Sequence, residues 1–270
     1  MVYITGDTHG DYDIFKIRAY KDLFKEGDTL IICGDFGAIW YSEDSEKRYI
    51  MEEKMTLGFY KSLPCDVCFI DGNHENYDRL YSFPVVDYKG GKAHKITDNV
   101  FHLIRGEIFT IENQTFLAMG GAASHDIQDG VLEKDDPRII EWMKDRYKMF
   151  RINHLSWWKE DVHSMEEREH FYENVEKHNF QVDVVLTHEA PASLIPLLYD
   201  KWGRRIMDPP HEYAEWLDTL RQFITYKTWC FGHYHIDKRI TDKEYVFYND
   251  IKECKDGCLT YVADSETWGI

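Results

Sequence analysis

The chain has 270 residues, enough to enclose a substantial core. Hydrophobic residues at 43% and charged residues at 30% exclude a collagen-like, low-complexity or largely disordered protein. The 49 Asp and Glu against 32 Lys and Arg leave a formal charge of -17, which argues against general nucleic-acid binding, while 13 His provide ligands for divalent metal ions.

Met1 to Gly6 enters a β-branched run, Val2–Thr5, without a basic and then apolar leader, so a cytoplasmic protein is expected. Helical periodicity over Tyr12 to Phe24 follows, then a buried strand over Thr29–Cys33, a helix over Glu46 to Ser62 and a strand over Val67 to Ile70. Val100 to Met119 reads as a meander turning at Glu112-Asn113-Gln114. Residues from about Ala122 to Glu166 lose the rhythm; rich in Asp, Arg and Trp, they read as an ordered insertion or lid at about 121–166, in which Trp142, Trp157 and Trp158 need burial. Helix, strand, helix and strand return over Met165 to His178, Val182 to Thr187, Glu212 to Ile224 and Thr228 to Phe231, and a second meander covers Ile236 to Ile251 with a turn near Thr241-Asp242-Lys243. Alternating strands and helices with no linker predict an α/β protein of one domain over residues 1–270, built on two sheets. No window is apolar enough to span a membrane.

Cys33 and Cys230 lie in apolar runs and read as buried thiols. Cys65-Asp-Val-Cys68 has the spacing of half a zinc site, but residues three apart on a strand face opposite sides, so structural zinc is not expected.

The chemistry is concentrated at the ends of the predicted strands. In order these carry Gly6-Asp7-Thr8-His9-Gly10, Gly34-Asp35, Gly72-Asn73-His74-Glu75, Thr187-His188 and Gly232-His233-Tyr234-His235. A lone Gly-Asp or His at a strand end is usually a turn residue or a satisfied polar group. Five such blocks at the carboxyl edge of one α/β array instead point to convergence on a metal centre.

This set resembles the calcineurin-like metallophosphoesterases, whose blocks Gly-Asp-x-His, Gly-Asp, Gly-Asn-His-Glu/Asp, His and Gly-His-x-His all occur here in order. The resemblance implies a four-layer αββα sandwich of two mixed β-sheets flanked by helices, the metallo-dependent phosphatase fold. It implies that Asp7, His9 and His235 hold one metal ion, that Asn73, His188 and His233 hold a second, that Asp35 bridges them, and that His74 is the catalytic acid. The mixed nitrogen and oxygen donors suit two divalent transition-metal ions, Mn²⁺ first, with Fe, Zn or Co as alternatives. Such a pair lowers the pKa of a bridging water, so the implied activity is hydrolysis of phosphate esters by a metal-bridging hydroxide, on a small or nucleotide-like monoester or diester. A nuclease of the same superfamily and a catalytically silent metal-binding scaffold are the alternative readings. The charge disfavours the first, and the complete ligand set with its acid disfavours the second.

Departures from the family pattern bear on the substrate. After Asp35 the chain reads Phe36-Gly37-Ala38-Ile39-Trp40, without the phosphate-gripping Arg of the Ser/Thr protein phosphatases, and Ala38 replaces the Asp that orients their catalytic His. Tyr77 stands at the position of their second Arg. No tyrosine ligand follows Asp35 at the spacing of the purple acid phosphatases. Substrate phosphate must then be held by the metals alone or by another cation, with Arg79, Arg138, Arg146 and Arg151 as candidates. Gly120 to Asp126 reads first as a strand-to-loop turn, with His125 brought toward the metals as the alternative, and Trp157-Trp158 reads first as core or interface packing, with the wall of a cleft as the alternative.

Overall fold

The computed structural model describes residues 1–42, 44–199, 203 and 211–262. In chain order the strands are β1 (Val2–Thr5), β2 (Thr29–Cys33), β3 (Asp66–Ile70), β4 (Val85–Tyr88), β5 (Gly91–Lys95), β6 (Val100–Leu103), β7 (Ile108–Ile111), β8 (Gln114–Met119), β9 (Gly130–Leu132), β10 (Phe150–Ile152), β11 (Val184–Thr187), β12 (Thr228–Phe231), β13 (Lys238–Arg239), β14 (Glu244–Val246), β15 (Ile251–Lys255) and β16 (Cys258–Tyr261). The helices are α1 (Phe15–Ala19), α2 (Lys47–Ser62), α3 (Tyr77–Leu80), α4 (Ile139–Trp142), α5 (Met165–Lys177) and α6 (Glu212–Phe223).

One sheet has the order β16-β15-β1-β2-β3-β6-β5-β4, and the other β13-β14-β12-β11-β8-β7. Their central strands, β1-β2-β3-β6 and β8-β11-β12-β14, are parallel, with antiparallel strands at the edges. Side-chain alternation divides the apolar residues into three layers. Val2, Ile4, Ile31, Cys33, Cys68 and Ile70 of the first sheet meet Phe116, Ala118, Val184, Leu186 and Cys230 of the second. The intervening Tyr3, Leu30, Ile32, Val67 and Phe69 pack with Ile17 of α1 and Tyr60 of α2. Val185, Trp229 and Phe231 pack with Phe171 of α5 and Leu217 of α6. Helix, sheet, sheet and helix therefore form four layers, the mixed α/β architecture that the resemblance implies.

Three local expectations are corrected. The helix expected over Tyr12 to Phe24 is α1 followed by a 3₁₀ turn over Lys21–Leu23. Its first turn is taken up by the loop that carries His9: Asp13 donates its N–H to the Thr8 carbonyl, and its carboxylate is held by His9 and Tyr248. Val100 to Met119 is not one meander, because β6 pairs with β3 while β7 and β8 form a hairpin in the other sheet. That hairpin does turn at Glu112-Asn113, both at positive φ (50° and 59°). Likewise β13 and β14 form the expected hairpin around 241–243, but β15 crosses to pair with β1. The hairpins β4–β5 at Lys89-Gly90 and β15–β16 at Asp256-Gly257 escape the sequence reading, although Asp-Gly is itself a hairpin signal.

All six cysteines are free, and among the described residues no potential metal-ligand group contains one. No described helix is long and apolar enough to cross a membrane. The segment around 121–166 is ordered by the parallel pair β9–β10 and by α4. Trp158 is fully buried there and donates to Asp78 Oδ2 at 2.9 Å, whereas Trp142 and Trp157 are only half-buried.

The central apolar layer sets the stability of this arrangement. Leu186→Ala, at a fully buried position between the sheets, should cost about 2–5 kcal/mol by urea unfolding, whereas Ile140→Ala on exposed α4 should change it by no more than about 0.5 kcal/mol. Equal effects would contradict the layer assignment.

Candidate metal centre

The parallel strands of both sheets end at one edge, and the eight residues singled out by the sequence lie on the loops that leave them. Asp7 and His9 follow β1, Asp35 follows β2, Asn73 and His74 follow β3, His188 follows β11, and His233 and His235 follow β12. Potential ligand atoms fall into three groups, each within 4.8 Å: Asp7, His9 and His235; Asp35, His188 and His233; and His9, Asp35 and His74. His9 Nε2 and His188 Nε2 each lie 3.2 Å from Asp35 Oδ2, and His235 Nε2 lies 3.3 Å from Asp7 Oδ2. Asp35 is common to the last two groups, His9 to the first and the third, and His74, expected as an acid and not as a ligand, falls with His9 and Asp35.

The glycines around the site act through close approach. A Cβ on Gly34 would strike the His188 ring, one on Gly72 would strike Asp35, and one on Gly232 would strike Asp7. The functional residues themselves adopt left-handed backbone: φ is 41° at His9, 47° at Asp35, 70° at His233 and 52° at His235. Non-glycine residues in this region cluster at functional sites, because their strain persists only where the surroundings over-determine it. Here the Thr8 and His9 N–H groups donate to the Asp35 carbonyl at 3.0 and 2.8 Å, and His233 N–H donates to Asp7 Oδ1 at 3.0 Å.

Hydrogen bonds also select which ring nitrogens are free. His188 Nδ1 is 2.7 Å from the Cys33 carbonyl, which fixes its proton there and leaves Nε2 facing Asp35 without a hydrogen bond. His9 Nδ1 is 2.7 Å from Asp13 Oδ2, and Asp13 Oδ1 accepts from the Tyr248 hydroxyl at 2.7 Å. A histidine oriented through its other nitrogen by a carboxylate or carbonyl is the usual arrangement around a metal. Asn73 Oδ1 is likewise buried without a partner. A buried amide oxygen without a partner, and imidazoles turned toward two buried carboxylates, are a donor set that fits divalent cations.

Without metal, protons balance the charge. Burial opposes ionisation of His9, but its hydrogen bonds to Asp13 and Asp35 raise it to about 11. Burial likewise opposes the charge on His188, yet Asp35 and Asp7 raise it to about 10. Asp7 is held down at about 2, burial being outweighed by His188 and His235. Burial pushes His74 down to about 4, with Asp35 opposing and Arg151 adding to the shift.

Several contributors carry no motif. Lys16, buried behind Asp7, donates to the Gly6 and Asp7 carbonyls at 3.1 and 2.6 Å and to that of Tyr248. Asp71, immediately before Gly72, is fully buried and binds Arg105 Nε (2.8 Å), His102 Nε2 (2.9 Å) and the Tyr77 hydroxyl (2.9 Å). Tyr77, where the protein phosphatases have an arginine, is thus a buried partner of Asp71. Ser124 donates to the buried Asp161 at 2.6 Å, and the His125 ring stands edge-on to His233 at 5.6 Å. Of the arginines considered from sequence, Arg79 is taken up by Glu53 at 2.7 Å, Arg138 by Asp136 at 2.6 Å, and Arg146 lies exposed against Tyr147. Arg151 alone of these four reaches the site, its Nη2 lying 3.5 Å from His74 Nε2. Beside the centre opens a cleft of about 550 Å³, lined among the described residues by His9, His74 and His235, by the aromatic rings of Tyr12, Trp40, Tyr41 and Tyr248, and by acidic side chains. Trp40 takes the wall position that was the alternative for Trp157-Trp158.

Because His9 and His188 bind protons well above neutral pH, cations entering at pH 7 must displace them. Calorimetric titration with Mn²⁺ in buffers of different ionisation enthalpy should show release of about two protons per chain, with apparent affinity rising with pH. Binding without proton release would contradict this description of the metal-free site.

The family profile described as calcineurin-like phosphoesterase matches residues 1–237. No curated protein sequence matches the chain. Among solved structures, a Staphylococcus aureus protein described as a candidate 5′-nucleotidase, crystallised with alpha-ketoglutarate, aligns at 17% identity and a TM-score of 0.44. The alignment covers 94% of this chain and 51% of that one, so the chain spans about half its length. With the profile running from the first strand through His235, the chain belongs to the calcineurin-like phosphoesterases.

Proposed function

We propose that the chain hydrolyses a small phosphate ester at a centre of two divalent transition-metal ions, Mn²⁺ foremost, with Asp7, His9 and His235 on one side, Asn73, His188 and His233 on the other and Asp35 shared. The observation that carries this reading is that Asp35 falls in two donor clusters, one with His9 and His74 and one with His188 and His233, while His9 also joins Asp7 and His235. When bound, such ions activate water at neutral pH and neutralise charge on the phosphoryl oxygens.

The protein's own residues supply the rest. His74 is fixed through its backbone, whose N–H donates to Asp35 Oδ1 at 2.8 Å, so its imidazole stays beside the centre whatever occupies the cleft. Its proton goes to the departing alkoxide. In the metal-free protein burial holds the ring's proton affinity down, to about 4, against the opposing charge of Asp35, so to act as an acid the ring must first take its proton from solvent. The cleft receives the alcohol portion. Its aromatic walls suit a planar or apolar group, and the acidic side chains among the described lining repel an alcohol that carries further phosphates.

A turnover panel on Mn²⁺-loaded protein tests this reading: p-nitrophenyl phosphate, its bis ester, nucleoside monophosphates and cyclic nucleotides, with duplex DNA as competitor. Turnover of one of the esters that a chelator abolishes and Mn²⁺ restores, without inhibition by DNA, is the expected result. Strong competition by DNA would favour the nuclease reading, and no turnover of any ester the silent scaffold. His74→Ala should retain the metals and lower turnover by about a hundredfold for alkyl esters, and less for p-nitrophenyl phosphate, whose leaving group needs no proton. Equal losses on both would assign His74 to phosphate binding.

A further inference from the structure

The loops that follow Asp35 and Asn73 lack the arginines with which the protein phosphatases grip phosphate, yet one guanidinium does reach this centre from another part of the chain. Arg151 lies on β10, within the segment that joins β8 to α5. Both ends of that segment are fastened at Asp71. Gly121 N–H donates to the Asp71 carbonyl at 2.8 Å, and Arg105, bound to the Asp71 carboxylate, donates to the Glu160 carbonyl at 2.6 Å. Since Asp71 directly precedes Gly72-Asn73-His74, the segment is registered against the loop that carries two of the site residues.

Within it the Arg151 fork is aligned. Nε lies 2.8 Å from both Asp126 oxygens, Nη2 lies 2.7 Å from Asp126 Oδ2, and Nη1 donates to the Ser156 carbonyl at 2.9 Å. A guanidinium has five N–H donors. These contacts use three, leaving one on each terminal nitrogen, and Nη2 is the atom that comes 3.5 Å from His74 Nε2. The side chain is 13% exposed, so it is held by protein on most sides yet remains open at one. A rigid fork whose two remaining N–H groups make, at most, the long 3.5 Å contact from Nη2 to His74 matches the spacing of two oxygens of a phosphoryl group. Among the described arginines, the others are paired with acidic groups away from the centre, buried against Asp71, or set over a surface ring.

We infer that Arg151 is the phosphate-binding arginine of this enzyme, holding non-bridging oxygens of the substrate phosphoryl group beside His74 and directing the ester's organic part into the aromatic cleft. The inference rests on the phosphoesterase reading, but it also fixes where inorganic phosphate, the product, binds. Asp126 acts as the positioning residue that keeps the fork turned toward His74.

Calorimetric titration of inorganic phosphate into Mn²⁺-loaded wild type, Arg151→Ala and Arg151→Lys separates the two claims. Arg151→Ala should weaken phosphate binding by about 10- to 100-fold, the loss of charged hydrogen bonds, and lower kcat/KM for the best ester by at least that factor, with metal content unchanged. Arg151→Lys, which keeps the charge and loses the fork, should recover only part of both and covers the case in which the alanine variant does not fold. If wild type hydrolyses no ester but binds phosphate through Arg151, the reaction assigned to the site fails and this inference stands. Wild-type phosphate affinity in a metal-loaded Arg151→Ala, or in Arg151→Lys where the alanine variant does not fold, would overturn it, as would failure of metal-loaded wild type to bind phosphate.

Discussion

Two carboxylates, Asp7 and Asp35, are withdrawn from water at the edge where the two sheets meet, and no lysine or arginine side chain among the described residues pairs with either. Buried charge of this kind is costly unless it is compensated. Imidazoles from both sheets provide the compensation, and they do so from backbone conformations that cost about 1–3 kcal/mol each for non-glycine residues. The surrounding glycines make room for the rings and carboxylates, and Lys16 fixes the carbonyls around Asp7 from behind. The fold tolerates the strain because the sandwich below it, with three apolar layers, leaves the strand ends no alternative path.

A second buried charge centre extends the first toward substrate. Asp71 and Arg105 form an ion pair about 1% exposed or less, satisfied further by His102 and Tyr77. Removing one partner of such a pair would leave the other unpaired in the core. Its position explains why the chain crosses from one sheet to the other after β6: Arg105 is drawn to the end of β3 and holds Glu160 in place, while Glu167, in the capping box that starts α5, contacts the same guanidinium at 3.3 Å. The loop that carries Asn73 and His74 and the segment that carries Arg151 are therefore tied to one buried ion pair.

Much of the centre was legible because its chemistry is local in sequence. An Asp or His beside a glycine after a buried strand can be recognised without knowing the fold, and the parallel strand order then brings the blocks to one edge. The strands of the central layers were legible for a similar reason, since Val2–Thr5 or Thr29–Cys33 are too apolar to lie anywhere else. Residues whose role depends on distant partners were not. Lys16 looks like a surface residue of a helix, Asp71 looks like a turn, Tyr77 looks like a missing arginine, and Asp161 lies in a segment without period. Each acquires meaning only through contacts 5 to 37 positions away, or more than 200 in the case of Lys16 and Tyr248. The two meanders misled because hydrophobic alternation fixes which faces of a strand are buried but not which sheet the strand joins. After β6 the chain leaves for the other sheet where Arg105 binds Asp71.

The account depends on Asp35 joining two sites into one centre. The most direct test is the metal content of Mn²⁺-loaded protein, by native mass spectrometry of wild type and Asp35→Asn. Two ions per chain in the wild type, with both weakened together by the substitution, is the predicted result. A single ion in the wild type, or loss of one ion with the other held at full affinity, would contradict a shared bridge and with it the chemistry assigned to this edge of the sandwich.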